Sequence, residues 1–225
     1  MHAPAISPDS EKGPFIISGS AVVDEMNTSG LFNETTSPEN RLVAIYTGND
    51  EEKSLQYQKI AYSVDGGYTY NKREDPIIDI GNSQFRDPKV FWYAPQSKWI
   101  MVVALASQYE VIIYESIDLL NWTEASRFGN QGILGYQYEC PDLFPINIEG
   151  TDEQKWVMII SVNPGYSRSG GSGSQYFIGD FDGTNFIAMD NSVREMDFAL
   201  DDYAGVTYNN APDGRRLWVV SYKLD

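Results

Sequence analysis

Lys98-Trp-Ile-Met-Val-Val103 opens the longest wholly apolar run of this chain, Trp99 to Ala106. The run is too short for a typical helix or a bilayer span, and β-branched and aromatic residues dominate it. It reads as a buried strand entered from a basic residue. The same pattern stands at Arg41-Leu-Val-Ala-Ile-Tyr46, Lys155-Trp-Val-Met-Ile-Ile160 and Arg216-Leu-Trp-Val-Val220, at spacings of 57, 57 and 61 residues.

Two further series keep step with it. Ser63-Val-Asp65-Gly, Ser116-Ile-Asp118-Leu and Asp180-Phe-Asp182-Gly place an Asp before a turn and an aromatic soon after, trailing their basic strands by 24, 20 and 27 residues. Asp-Gly is a strong hairpin signal. Ahead of the basic strands come Ser18-Gly-Ser20-Ala, Arg86-Asp87-Pro88-Lys, Glu139-Cys140-Pro141-Asp and Asp202-Tyr203-Ala204-Gly, each leading into an apolar strand. Pro88 and Pro141 suit a strand's first position, where no ladder donor is needed. Short strands repeating in phase, with no convincing helix, predict an all-β chain built from propeller blades. A two-sheet sandwich also has regular short strands, but it does not explain three series kept in phase.

The repeat also predicts an incomplete set of blades. A fourth Asp turn would fall past Asp225, and the residues before Arg41 hold one leading strand, at Ser18, but no whole blade. The chain is therefore expected to open and close inside the repeat.

Composition narrows the chemistry. A net charge of −16, from 32 acidic and 16 basic residues, argues against nucleic acid and anionic membrane surfaces as partners. With one histidine, His2 at the terminus, and one cysteine, Cys140, there is no material for a zinc site, a Ser-His-Asp triad or an internal disulfide. No cofactor is called for. Met1-His2-Ala3-Pro4 has neither a charged n-region nor an apolar h-region, so no signal peptide is expected and the chain as given would be cytoplasmic. Three sequons, at Asn27, Asn33 and Asn121, point the other way, to a secreted glycoprotein.

Carboxylates are what remain in quantity. In a propeller the leading strand of every blade lines the central axis, so equivalent positions converge. Asp87 and Glu139, 52 residues apart, stand at the starts of adjacent leading strands. Paired carboxylates over a sugar are the requirement of glycoside hydrolysis. Arg86 would favour the ionised form of Asp87, whereas Glu139, near other acids and partly desolvated, would tend to hold its proton. The bland reading is that both acids cap strand starts. Cys140 is expected to be a small buried filler rather than a redox thiol. Ser169-Gly-Gly-Ser-Gly-Ser174 is expected to be a flexible inter-strand loop, Asp182 with Asn185 an Asp-Gly turn rather than a calcium loop, and Asp50-Glu-Glu52 a solvated loop.

Ser18-Gly-Ser20, Phe85-Arg86-Asp87-Pro88-Lys-Val-Phe-Trp92, Gly135-Tyr-Gln-Tyr-Glu139-Cys140-Pro141 and Asp202-Tyr203-Ala204 resemble, in order and spacing, motifs of glycoside hydrolase family 32, which includes invertases and inulinases. The resemblance spans about residues 4 to 218. It implies a five-bladed β-propeller that hydrolyses terminal β-fructofuranosides with retention, acting on sucrose or fructans, and it makes residues 1–225 a partial N-terminal propeller catalytic domain. Glu139 would be the general acid/base. Asp87 would be the transition-state stabiliser gripping fructosyl hydroxyls, with Arg86 beside it. Ser18 would be a substrate contact in the family's Phe-Ser-Gly-Ser segment, with Ile17 where the family has Phe.

The departures are as telling. The family's nucleophile lies in a Trp-Met-Asn-Asp-Pro-Asn-Gly motif, and no stretch of this sequence matches it. The family's last-blade aromatic segment and C-terminal β-sandwich are missing as well, and Val219 to Asp225 no longer follows the family. Three readings follow: a family-32-derived chain inactive by itself, a fructoside-binding module without hydrolysis, and a live hydrolase that recruits another carboxylate such as Asp24 or Asp202. Oligomeric state stays open, with a homo-oligomer among the options.

Overall fold

The computed structural model describes residues 3–11, 13–165, 171–196, 202–209, 211 and 216–221. His2 and the first part of the glycine-serine run, Ser169 and Gly170, lie outside them. Two compact units divide the chain. One comprises residues 1–101 with 114–125, the other residues 102–113 with 126–225.

The described chain is all-β apart from three single-turn 3₁₀ segments. Four sheets follow one another in sequence, and the strand pairs of the first, third and fourth are antiparallel. The first holds β1 (Phe15–Val23), β2 (Leu42–Asp50), β3 (Leu55–Ser63) and β4 (Asn71–Lys72), with β5 (Ile78–Asn82) also on β3. The second holds β6 (Phe85–Tyr93), β7 (Lys98–Leu105), β8 (Glu110–Ser116) and β9 (Thr123–Gly129). The third holds β10 (Tyr138–Asn147), β11 (Gln154–Val162), β12 (Gly173–Phe181) and β13 (Phe186–Ala188), with β14 (Arg194–Glu195) also on β12. Only β15 (Tyr203–Tyr208) and β16 (Leu217–Ser221) make up the fourth.

The basic-apolar runs are β2, β7, β11 and β16, the second strand of each sheet. In β7 every residue from Trp99 to Leu105 is buried, so the run has no polar alternation because neither of its faces meets water. Burying each such side chain contributes about 1.5–3 kcal/mol. The Asp turns also form as the pattern requires. Asp65 Oδ1 accepts from Tyr68 N and Thr69 N (3.0 Å each), Asp118 Oδ1 from Leu120 N and Asn121 N (2.9 and 2.7 Å), and Asp182 Oδ1 from Thr184 N and Asn185 N (2.8 and 2.7 Å).

Thr69, through its hydroxyl and its amide, lowers the Asp65 carboxyl to about 2. A depressed folded-state pKa adds stability above the unfolded value, and that stability is lost as pH falls through the folded one. Thermal unfolding of Asp65→Asn should therefore fall off less steeply than wild type between pH about 4 and about 2. Parallel pH profiles would show Asp65 to be a bystander.

The leading strands β1, β10 and β15 share a bulge. Ile17 pairs with Thr47, Glu139 with Ser161 and Tyr203 with Ser221, and immediately afterwards each leading strand gains one residue on its partner. The residue just past that position is left-handed in β10 (Cys140, φ 46°) and β15 (Ala204, φ 55°), and in β6 Asp87 (φ 65°) before Pro88 matches Cys140 before Pro141. Such bulges bend a strand and re-aim its side chains. Successive sheets lock just beyond: Val90 N donates to Ser20 Oγ (3.0 Å), and Thr207 N and Oγ1 both donate to Asp142 Oδ2 (3.0 and 2.7 Å). In the second unit Phe144, Val157 and Ile159 pack under Tyr176, Met196 and Trp218, with the Arg216 guanidinium 4.3 Å above the Phe144 ring.

Five expectations need correction, the first being that Pro88 and Pro141 stand fourth in β6 and β10 and not first, each just past a left-handed residue. The pairing of Trp218 with Thr207, where Met158 pairs with Leu143, matches Arg216 to Trp156 and not to Lys155. Cys140 is half-buried at its bulge and not a core filler. Asp50 ends β2 with 8% of its surface exposed and accepts from Lys53 N and Nζ, so it is not a freely solvated loop residue. Gly173 and Ser174 belong to β12 and are buried, because Ser174 bonds inward to Ser161.

Candidate active site

Ile17, Ser18, Arg86 and Asp87 lie in the first unit, and Glu139 lies in the second. Ser18 is the exposed extra residue of the β1 bulge, and Ile17 beside it is half-buried. Arg86 is 7% exposed and donates through Nη1 to Gln84 Oε1 (2.9 Å) and Gln56 Oε1 (3.2 Å). Two glutamines thus fix the guanidinium. Asp87 is also 7% exposed, and its backbone N–H donates to the Thr47 hydroxyl at 3.0 Å. Ile17 and Asp87 therefore meet the same residue, one through the ladder and one through that bond.

Glu139 sits on the β10 bulge with 9% of its surface exposed. The Tyr203 hydroxyl donates to its Oε2. Tyr203 lies in the Asp202-Tyr203-Ala204 motif, where the sequence alone assigns it no role. Its signal was present, since it occupies in β15 the register position that Glu139 holds in β10. The reading aligned Asp202 with Glu139, one residue early, and a slip of one residue reverses the face.

The loop leading to Glu139 is tightly held. Gln175 brackets Ile133, accepting from its N–H at 2.8 Å and donating to its carbonyl at 2.7 Å. The Tyr138 hydroxyl donates to the Gln131 carbonyl, and burial pushes this phenol up to about 12. Gly135 (φ 57°) runs so close that an added Cβ would stand 2.3 Å from Val162 Cγ1 and 2.6 Å from the Pro164 carbonyl oxygen. Only glycine serves there.

Asp24 is committed to its own turn. It is 0% exposed, and its two oxygens accept from Thr28 N, Thr28 Oγ1, Ser29 N and Ser29 Oγ at 2.7–2.9 Å. Asp24→Ala should destabilise the chain by roughly 2–5 kcal/mol, because each buried donor left unpaired costs about 1–3 kcal/mol. Chemical denaturation would measure it, and a loss under about 0.5 kcal/mol, the range of ordinary surface changes, would contradict the clamp.

The family model of the glycosyl hydrolases family 32 N-terminal domain matches residues 1–223. The chain belongs to glycosyl hydrolase family 32. Among curated family-32 relatives, an extracellular exo-inulinase of Meyerozyma guilliermondii is 52% identical over 212 residues, 94% of this chain and 40% of the relative. Invertase 2 of Saccharomyces cerevisiae is 50% identical over 209 residues, 92% of this chain and 38% of the relative. A solved fructofuranosidase of Schwanniomyces occidentalis, complexed with fructose, superposes with a TM-score of 0.91 at 46% identity, covering 96% of this chain and 42% of that one. The chain thus spans about 40% of the length of the curated relatives it matches. Its fold is the five-bladed β-propeller type of family 32, represented by four successive leading strands.

Proposed function

We propose that these residues form part of a β-fructofuranosidase site for sucrose or related β-fructosides, within an N-terminal catalytic propeller. Glu139 is the general acid/base, which protonates the leaving oxygen and then activates water. Asp87 is the stabiliser that holds fructosyl hydroxyls, with Arg86 beside it and Ser18 and Ile17 as further substrate contacts. No cofactor enters this scheme. The observation that carries the reading is the Tyr203 hydroxyl on the Glu139 carboxylate. A nearly buried acid fixed by a phenol through one oxygen is an oriented group, and orientation is what proton transfer to a bound sugar needs.

A second feature makes binding without turnover the fitting role for these 225 residues taken alone. Retention needs a second carboxylate about 5 Å from the acid. No residue here stands in the family's nucleophile motif, and Asp24 is spent on its turn. Calorimetric titration with fructose and with a short fructan tests the reading. Saturable binding of both is expected, and the absence of both would overturn it.

A secreted setting suits the relatives that include an extracellular exo-inulinase. Exposed Asn33 suits glycan attachment, whereas exposed Asn121 already gives its carboxamide nitrogen to Asp118 Oδ2 (2.7 Å) and suits it less. Asn27 does not suit it, because its carboxamide donates to the Phe32 carbonyl and accepts from the Phe32 amide. Among the described residues no helix is long and apolar enough to cross a membrane.

A further inference from the structure

We propose that Thr47 is a positioning residue for Asp87. Three hydrogen bonds close a ring through the backbone of residues 85 to 87. The Asp87 N–H donates to Thr47 Oγ1 (3.0 Å), the Thr47 hydroxyl donates to Gln58 Oε1 (3.1 Å), and Gln58 Nε2 donates to the Phe85 carbonyl (2.9 Å). Thr47 and Gln58 are paired in the ladder and are both 0% exposed. The ring closes on residues 85 and 87 and so pins the backbone on both sides of Arg86. It also holds Asp87 at φ 65°, a conformation that L residues rarely adopt and that the surroundings must impose.

The second unit repeats the ring with different side chains. The Ala204 N–H donates to Ser161 Oγ (3.2 Å), Ser161 and Ser174 share a hydroxyl hydrogen bond (3.0 Å), and Ser174 Oγ donates to the Asp202 carbonyl (3.1 Å). That ring flanks Tyr203, which holds Glu139. One ring thus pins the backbone of Asp87 itself, and the other pins the bulge of Tyr203, the residue that donates to Glu139. Building a blade does not itself demand the hydroxyl. Thr47 and Ser161 stand six residues past Arg41 and Lys155, and the same place past Lys98 holds Ala104, fully buried in β7. What the two rings share is the donor–acceptor pattern beside a site residue.

The inference rests on the reading that Asp87 grips the fructosyl ring. Its test is the dissociation constant for fructose, measured by calorimetry on the full chain and its variants at a temperature where near-UV circular dichroism shows each to be folded. Thr47→Val keeps the shape and removes the hydroxyl, and should weaken binding roughly tenfold or more, as a small misplacement of a site group does. Thr47→Ser keeps the hydroxyl and should bind within about threefold of wild type, a difference under 1 kcal/mol. A merely structural Thr47 would shift the unfolding temperature of both variants and the affinity of neither. If Thr47→Val does not fold, Gln58→Met opens the same ring from its other side and carries the same expectation. Wild-type affinity in Thr47→Val, or equal weakening in Thr47→Ser, overturns the positioning role and leaves the functional reading standing. Failure of the wild-type chain to bind fructose at all overturns both.

Discussion

Glu139→Gln should lower sucrose turnover about 10²–10⁴-fold, the usual worth of a positioned proton donor, in a chimera that adds the family's nucleophile segment and C-terminal sandwich to this chain. The substitution keeps the shape of the side chain and an acceptor for the Tyr203 hydroxyl, so the β10 bulge and its loop should stand. What is lost is the proton. A substrate whose leaving group departs without protonation should therefore recover much of the rate, because only the acid step has failed. Tyr203→Phe in the same chimera should lose less, since it frees the carboxylate to turn without removing it. Unchanged turnover in Glu139→Gln, measured as hexose release, would remove Glu139 from the mechanism.

Asp87→Asn should weaken fructose binding by about 3 kcal/mol, roughly a hundredfold in dissociation constant, because hydrogen bonds to a charged group are each worth about 1.5–3 kcal/mol. The replacement isolates the charge. Asp87 is left-handed at φ 65°, and asparagine tolerates that conformation better than most residues. Its N–H still reaches Thr47. Neither strain nor a broken ring then confounds the result. Activated substrates should not rescue this variant in the chimera, which separates it from Glu139→Gln. Calorimetry on the chain itself reads the effect, and wild-type affinity in Asp87→Asn would leave the carboxylate without its proposed role.

How much of this was legible beforehand follows from the range of each interaction. The runs at Arg41, Lys98 and Lys155 declare themselves as strands because burial on both faces needs only local composition. Asp65, Asp118 and Asp182 declare their turns because a carboxylate and the amides it caps lie two to four residues apart. The bulges were hidden. One extra residue shifts the pairing register without altering the polar start of the strand, so Asp202 was set beside Glu139 when Tyr203 belongs there. Partnerships across sheets were hidden for a different reason. Tyr203 and Glu139 are 64 residues apart, Thr47 and Asp87 are 40 apart, and nothing in the sequence near either member names the other.

Hexose release from sucrose at mildly acidic pH, measured side by side on the purified chain and on the chimera, tests the central claim most directly. Turnover by the chimera alone is the predicted result, because the residues present are read as a working half of a site whose covalent step needs a carboxylate they do not include. Turnover by the chain itself that disappears in Glu139→Ala, or a folded chimera that releases no hexose, would contradict the account.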